Sequence, residues 1–174
     1  MASREQAILG TILGSCVSVC LYDEKYKIGG MNHFLLPEII SDVRNPLYCG
    51  PDSIKTLVDE VVSMGADMRN IRAKVFGGGR VVRELTDDFD IGRKNVDTAR
   101  EMLLNYGIPI TREFTCPDYG IKLIFYTDTG RAFVKQLYNE DLRLWQEKGK
   151  LPCKFLNLQT AEAGKWMQAE RQGF

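Results

Sequence analysis

The chain has 174 residues, its 23 Lys and Arg are balanced by 23 Asp and Glu, and it contains a single histidine. This length supports one domain that buries roughly 70% of its unfolded surface, while the zero net charge and the lack of a basic run argue against nucleic acid or an anionic membrane as partner. Five cysteines without C-x-x-C spacing argue against a disulfide framework and for a reduced, cytoplasmic protein.

Residues 6–22 are uncharged, and Leu13-Gly14-Ser15-Cys16 is similar to the box at which bacterial lipoproteins are cut. The pattern that follows speaks against a signal segment, because residues 16–22 alternate instead of opening into a polar tether. Val17, Val19 and Leu21 fall on one face of an extended strand, with Cys16, Ser18, Cys20 and Tyr22 on the other. No run approaches the roughly 20 apolar residues of a membrane span, so no membrane insertion is expected. Strands are predicted over 11–23 and 28–35, joined by the charged turn Asp23-Glu24-Lys25, with Gly29-Gly30 permitting a bulge or a close backbone approach. Such a hairpin brings Cys16 and His33 onto neighbouring strands.

Ile54, Leu57, Val58, Val61 and Val62 recur at helical spacing, so a helix is predicted over 51–64, opened by Pro51-Asp52-Ser53 and stopped at Gly65. A strand over 72–76 runs into Gly77-Gly78-Gly79. Asn95 is read as the cap of a second helix over 96–106, which ends at Gly107. Strands follow over 108–115, 121–127 and 131–138, with Asp128-Thr129-Gly130 as the tight turn between the last two. The domain is placed at 1–138. Residues 139–174, with Trp145 and Trp166, read as a helical tail packed on the same domain, with helices over 140–148 and 160–171.

Chemistry concentrates at Cys16 and His33. An imidazole can activate a thiol for attack on an acyl group and then protonate the leaving group. Cys16 and Cys20 stand about 13 Å apart on a regular strand, too far for a disulfide or for one shared zinc, so no metal is expected. Cys20 and Cys49 read as structural, and Cys16 is expected to be the most reactive thiol. The triple glycine lacks the lysine and Ser/Thr of a P-loop and reads as a tight turn beside the active cleft. Arg80 and Arg83 with Asp87, Asp88 and Asp90 read as a solvated loop.

Thr11-Ile12-Leu13-Gly14-Ser15-Cys16-Val17, Leu21-Tyr22-Asp23, Gly29-Gly30-x-x-His33-x-x-Leu36-Pro37, Lys74-Val75-Phe76-Gly77-Gly78 and Ile91-Gly92-x-x-Asn95-Val96 together closely resemble the CheD family of chemoreceptor glutamine deamidases. The resemblance runs in order over residues 8–138. It implies an α+β fold, layered α/β/β/α with mixed sheets, similar to the catalytic domain of a cytotoxic necrotizing factor. It implies a protein-glutamine glutaminase in which Cys16 is the nucleophile, His33 the general base and acid, and Thr11 the third member. Gly14 and Ser15 then support an oxyanion site, and Gly77, Gly78 and Asn95 are candidates for lining the cleft. No cofactor is implied. The implied substrate is a glutamine in the cytoplasmic helices of a chemoreceptor, and a CheC-type phosphatase is an implied second partner. Two departures stand out: about ten residues precede the threonine motif, which is expected to cost an edge strand, and Asp118-Tyr119-Gly120-Ile121-Lys122 replaces a glycine-rich family signature. These features leave a second reading, a binding module that docks on receptors or on the phosphatase with little or no catalysis.

Overall fold

The computed structural model describes residues 1–39, 45–80 and 90–137 and the pairs 154–155 and 167–168. Its strands are β1 (Ala2–Ser3), β2 (Ile8–Leu13), β3 (Val17–Asp23), β4 (Ile28–Met31), β5 (Ile71–Gly77), β6 (Ile110–Thr115), β7 (Ile121–Tyr126), β8 (Ala132–Gln136), β9 (Lys154–Phe155) and β10 (Met167–Gln168). The helices are α1 (Gly50–Ser63) and α2 (Ile91–Asn105), with a 3-10 turn at Pro46–Tyr48 before α1.

Two five-stranded sheets form, ordered β1-β4-β3-β5-β6 and β10-β8-β7-β2-β9. The first is mixed, because β5 and β6 run parallel across the α2 crossover, whereas the second is antiparallel throughout. Alternation along β3 explains the stacking. Val17, Val19 and Leu21 face a core shared with Ile54, Leu57 and Val61 of α1 and Val96, Ala99 and Leu103 of α2. Cys20, on the opposite face, joins Met31, Phe76, Leu9, Leu13, Leu123 and Phe125 in the core between the sheets. The described residues therefore stack as helices, first sheet, second sheet, which places the chain in the α+β class.

Most predicted elements form where the pattern puts them, but the strand expected over 28–35 ends at Met31, so that His33 lies beyond it and Phe34 makes only an isolated bridge, and three further corrections follow. The single strand expected over 11–23 is two strands in different sheets, β2 and β3, broken at Gly14-Ser15-Cys16. Both halves alternate, so periodicity cannot report that the chain changes sheets between them. The second helix begins at Ile91, five residues before the predicted start, because Asp90 is its cap and accepts a hydrogen bond from the Arg93 N–H at 3.0 Å. Asn95 is thus an interior helix residue. In the predicted helix 160–171 the described residues, Met167–Gln168, are strand, paired with Phe133 and Val134 on the edge of β8. Unpaired edge groups can override helical propensity in this way. The predicted helix 140–148, the Arg83, Asp87 and Asp88 positions, and Cys153, Trp145 and Trp166 lie outside the described residues. At the edge of the first sheet β1 pairs with Gly29 and Gly30 of β4.

Candidate active site

Cys16 is the last residue of the turn that carries the chain from β2 in the second sheet to β3 in the first. The carbonyls of this turn are all held. Gly79 N–H donates to the Gly14 oxygen at 2.7 Å, Gly78 N–H to the Cys16 oxygen at 2.8 Å, and Asn95 Nδ2 to the Ser15 oxygen at 3.0 Å. Gly77 and Gly78 are required for this approach: both have left-handed backbones, at φ +102° and +67°. A Cβ on Gly77 would overlap the Cys16 carbonyl oxygen, and one on Gly78 would overlap Val96. The glycine loop is the tight turn expected beside Cys16, and it serves as a backbone brace. With the Gly78 and Gly79 N–H groups spent on protein carbonyls, it has no phosphate cradle to offer at those positions.

His33 reaches the same place from the other side of the hairpin. Val17 and Phe34 form a bridge in which each N–H donates to the other's carbonyl, at 3.1 and 3.0 Å. Their side chains face the helices. Cys16 and His33, one residue earlier on each segment, therefore both face the second sheet as diagonal neighbours, about 7–8 Å apart at the backbone by strand geometry. Within that space Thr11, on β2, meets the ring: its Oγ1 lies 2.9 Å from His33 Nδ1. Thr11 faces inward with Leu9 and Leu13 because all three share one side of β2.

Burial sets the protonation of both groups. It pushes the Cys16 thiol up, while the backbone N–H groups of Cys16 and Gly14 pull it back down by hydrogen bonding the ionised sulfur. It pushes His33 down, below its ordinary value. Both shifts favour the uncharged forms, the thiol of Cys16 and the neutral imidazole of His33. His33 Nε2 is buried and without a hydrogen-bond partner among the described residues, which leaves it available to a reacting proton. Cys16 is half-buried and Ser15 exposed, so the turn opens to solvent at this point. Cys20 and Cys49 are buried, as expected of structural thiols, while Cys116 is exposed. Among the described residues no cluster of His, Cys, Asp or Glu could hold a metal ion.

Residues 35–136, more than half of the chain, match the family model for CheD chemotactic sensory transduction. This chain belongs to the CheD family. A relative named probable chemoreceptor glutamine deamidase CheD, from Laribacter hongkongensis, is 37% identical over 141 residues, which is 79% of this chain and 68% of the relative. The CheD relative from Stenotrophomonas maltophilia strain K279a is 41% identical over 129 residues, 74% of this chain and 65% of its own. A third, CheD 1 of Shewanella oneidensis, is 39% identical over 140 residues, 78% and 68% of the two chains. The chain thus spans about two thirds of the length of these curated relatives.

Within this CheD-family domain the family match includes Gly77, Gly78 and Asn95, whereas Thr11, Cys16 and His33 precede it. The structure sets Cys16 and His33 on the same side of the Val17–Phe34 bridge, brings Thr11 against His33 from the second sheet, and sets Gly77, Gly78 and Asn95 behind the turn as its supports. Asn32 was not singled out by sequence reasoning. Its Oδ1 accepts from Val19 N–H at 2.7 Å and its carbonyl accepts from Ser18 Oγ at 2.6 Å. A side chain replaces a ladder partner here, immediately before His33, and only its position in Gly-Gly-Met-Asn-His could have drawn attention to it.

Proposed function

We propose that this chain is a protein-glutamine deamidase that converts glutamine side chains of chemoreceptors to glutamate, with release of ammonia, in chemotactic adaptation. The observation that carries the reading is the Val17–Phe34 bridge, which sets Cys16 and His33 on one face at the solvent-open turn. The names of the CheD relatives supply the substrate class.

In this reading Thr11 Oγ1 accepts from His33 Nδ1–H, so Nε2 is the unprotonated nitrogen that takes the Cys16 proton. The sulfur attacks the carboxamide carbon. The oxygen that becomes negative is received by backbone N–H donors of the Gly14-Ser15-Cys16 turn, whose carbonyls are already committed elsewhere. Imidazolium His33 then protonates the departing nitrogen, the C–N bond breaks, and a thioester remains with ammonia released. Water, deprotonated by the now neutral His33, breaks the C–S bond and leaves glutamate and the thiol. Burial favours this cycle: a depressed imidazole pKa makes the transient imidazolium a ready acid.

The same reading places the protein in the cytoplasm, where receptor signalling helices lie, with a CheC-type phosphatase as a second partner. It takes residues 139–174 as a tail on a single domain, a view supported by the pairing of β9 with β2 and of β10 with β8. The helix, sheet, sheet stacking supports the likeness to the catalytic domain of a cytotoxic necrotizing factor. The test is to incubate the protein with receptor cytoplasmic fragments and to follow ammonia together with the Gln-to-Glu mass increase of roughly one dalton, fixed by the amide-to-acid chemistry. Wild type is expected to produce both signals and Cys16→Ala neither. Equal conversion by Cys16→Ala would refute the nucleophile, and no conversion by wild type would leave the binding-module reading in its place.

A further inference from the structure

Asn95 lies in the second turn of α2 with its side chain turned into the protein, 0% exposed. Its Nδ2 donates twice, to the Ser15 carbonyl at 3.0 Å and to the Leu35 carbonyl at 2.9 Å. Ser15 immediately precedes Cys16, and Leu35 follows His33 by two residues. One amide group therefore ties together the two segments that carry the thiol and the imidazole. Two carbonyl acceptors at this spacing fix which end of the carboxamide faces them, since only the NH₂ end can donate. Its Oδ1 is buried without a partner among the described residues, so the amide is retained at the expense of an unsatisfied acceptor. A group kept for helix stability alone would be better replaced by an apolar side chain of the same shape.

We propose that Asn95 is a positioning residue for the reaction, a crossbrace that holds the Cys16 turn and the His33 segment at the separation proton transfer requires. The proposal rests on the Cys16 and His33 assignment made above. The brace acts at Ser15, the middle of the turn whose Gly14 and Cys16 N–H groups attend the sulfur. Losing it frees the Ser15 peptide to rotate, which misaligns those donors as well as the distance to His33. Gly78 and Gly79 hold the two flanking carbonyls from a different element, so the turn stays tethered and only its central peptide loses its anchor.

The test compares Asn95→Ala, Asn95→Asp and Leu103→Ala with wild type. Asn95→Asp keeps the shape but swaps the donating end for an oxygen, and Leu103 is a buried α2 residue in the helical-side core, remote from the brace. Two readouts are taken: kcat and KM for receptor-fragment deamidation, and the pH profile of Cys16 alkylation by iodoacetamide, with folding followed by circular dichroism. Both Asn95 variants are expected to fold, to lose roughly 10- to 100-fold in kcat, the scale of an ångström-level misplacement, and to keep KM within about twofold. Their Cys16 alkylation midpoint is expected to move to higher pH, and that of Leu103→Ala to stay with wild type. A wild-type kcat and alkylation profile in either folded Asn95 variant would overturn the proposal, and so would an equal shift in Leu103→Ala, since the role would then be structural alone. Should wild type not deamidate the fragment, alkylation still decides: a midpoint moved in the Asn95 variants alone sustains the brace even as the deamidase reading falls.

Discussion

Thr11 lies in the second sheet and His33 two residues beyond β4 of the first, and the 2.9 Å contact between Thr11 Oγ1 and His33 Nδ1 is a polar link across the space between the sheets. On either side of it the intersheet core is apolar, with Leu9, Leu13, Met31 and Phe125 among its members. A histidine in such a place loses water from both nitrogens, and one satisfied nitrogen orients the ring by default.

Replacing Thr11 by valine, which keeps the shape and removes the hydroxyl, is expected to lower kcat for deamidation by roughly 10- to 100-fold through loss of ring orientation. The accompanying loss of stability should be only about 1 kcal/mol, the net worth of an ordinary hydrogen bond. Thr11→Ser should recover most of the rate. Ammonia release and urea unfolding on the three proteins check this, and a fully active Thr11→Val would deny Thr11 any part in catalysis.

The pH profile follows from the two burial shifts. The productive form carries a neutral imidazole and a neutral thiol, so kcat/KM should rise as pH climbs through the His33 value, which lies below the ordinary 6.5. It should fall only beyond the Cys16 value, which lies above the ordinary 9.0. The plateau between is wider than for an unperturbed pair. Stability carries the same sign on the acid side: because the unfolded chain binds the His33 proton more readily, that contribution is whole above about 6.5. It is lost as pH falls through the folded value. A rate profile whose acid limb sits at or above 6.5 in wild type would contradict a buried, neutral His33.

Gly77 offers a test of the backbone brace. Gly77→Ala must place a Cβ against the Cys16 carbonyl in a left-handed backbone at φ +102°. Strain of this kind costs about 2 kcal/mol or more. Relief requires the Cys16 turn to move, so activity should fall with stability. Chemical denaturation and deamidation rates on Gly77→Ala measure both, and a variant as stable and active as wild type would show that the close approach is dispensable.

Thiol labelling distinguishes the cysteines by environment. Cys20 and Cys49, 0% and 1% exposed, should resist iodoacetamide until the protein is unfolded. Burial also holds the Cys20 thiol far above its ordinary value, against the weaker pull of Ser18 and Lys74. Cys116 and Cys16 should label in the native state, the rate at Cys16 rising with pH as its buried thiol ionises. Peptide mapping after brief labelling reads this directly; rapid native labelling of Cys20 would contradict the packing between the sheets.

The residues by themselves determined a good deal. Alternation from Val17 to Leu21 gave a strand with a polar and an apolar face, the helical repeat from Ile54 to Val62 gave α1, and the hairpin turn at Asp23-Glu24-Lys25 implied that Cys16 and His33 would be near neighbours. These signals are local: a side chain's face and a turn's chemistry are set within a few residues. Tertiary structure decided the rest. Period-two patterning reads the same whether a strand continues or crosses to another sheet, so the break at Gly14-Ser15-Cys16 was invisible until β2 found β7 and β3 found β4 and β5. Asn95 read as a cap because asparagine suits caps, and only the fold put the Ser15 and Leu35 carbonyls, 80 and 60 residues away in sequence, within reach of its amide. The protonation of Cys16 and His33 likewise depends on how much water the two sheets exclude, a property of the closed core and not of either residue type.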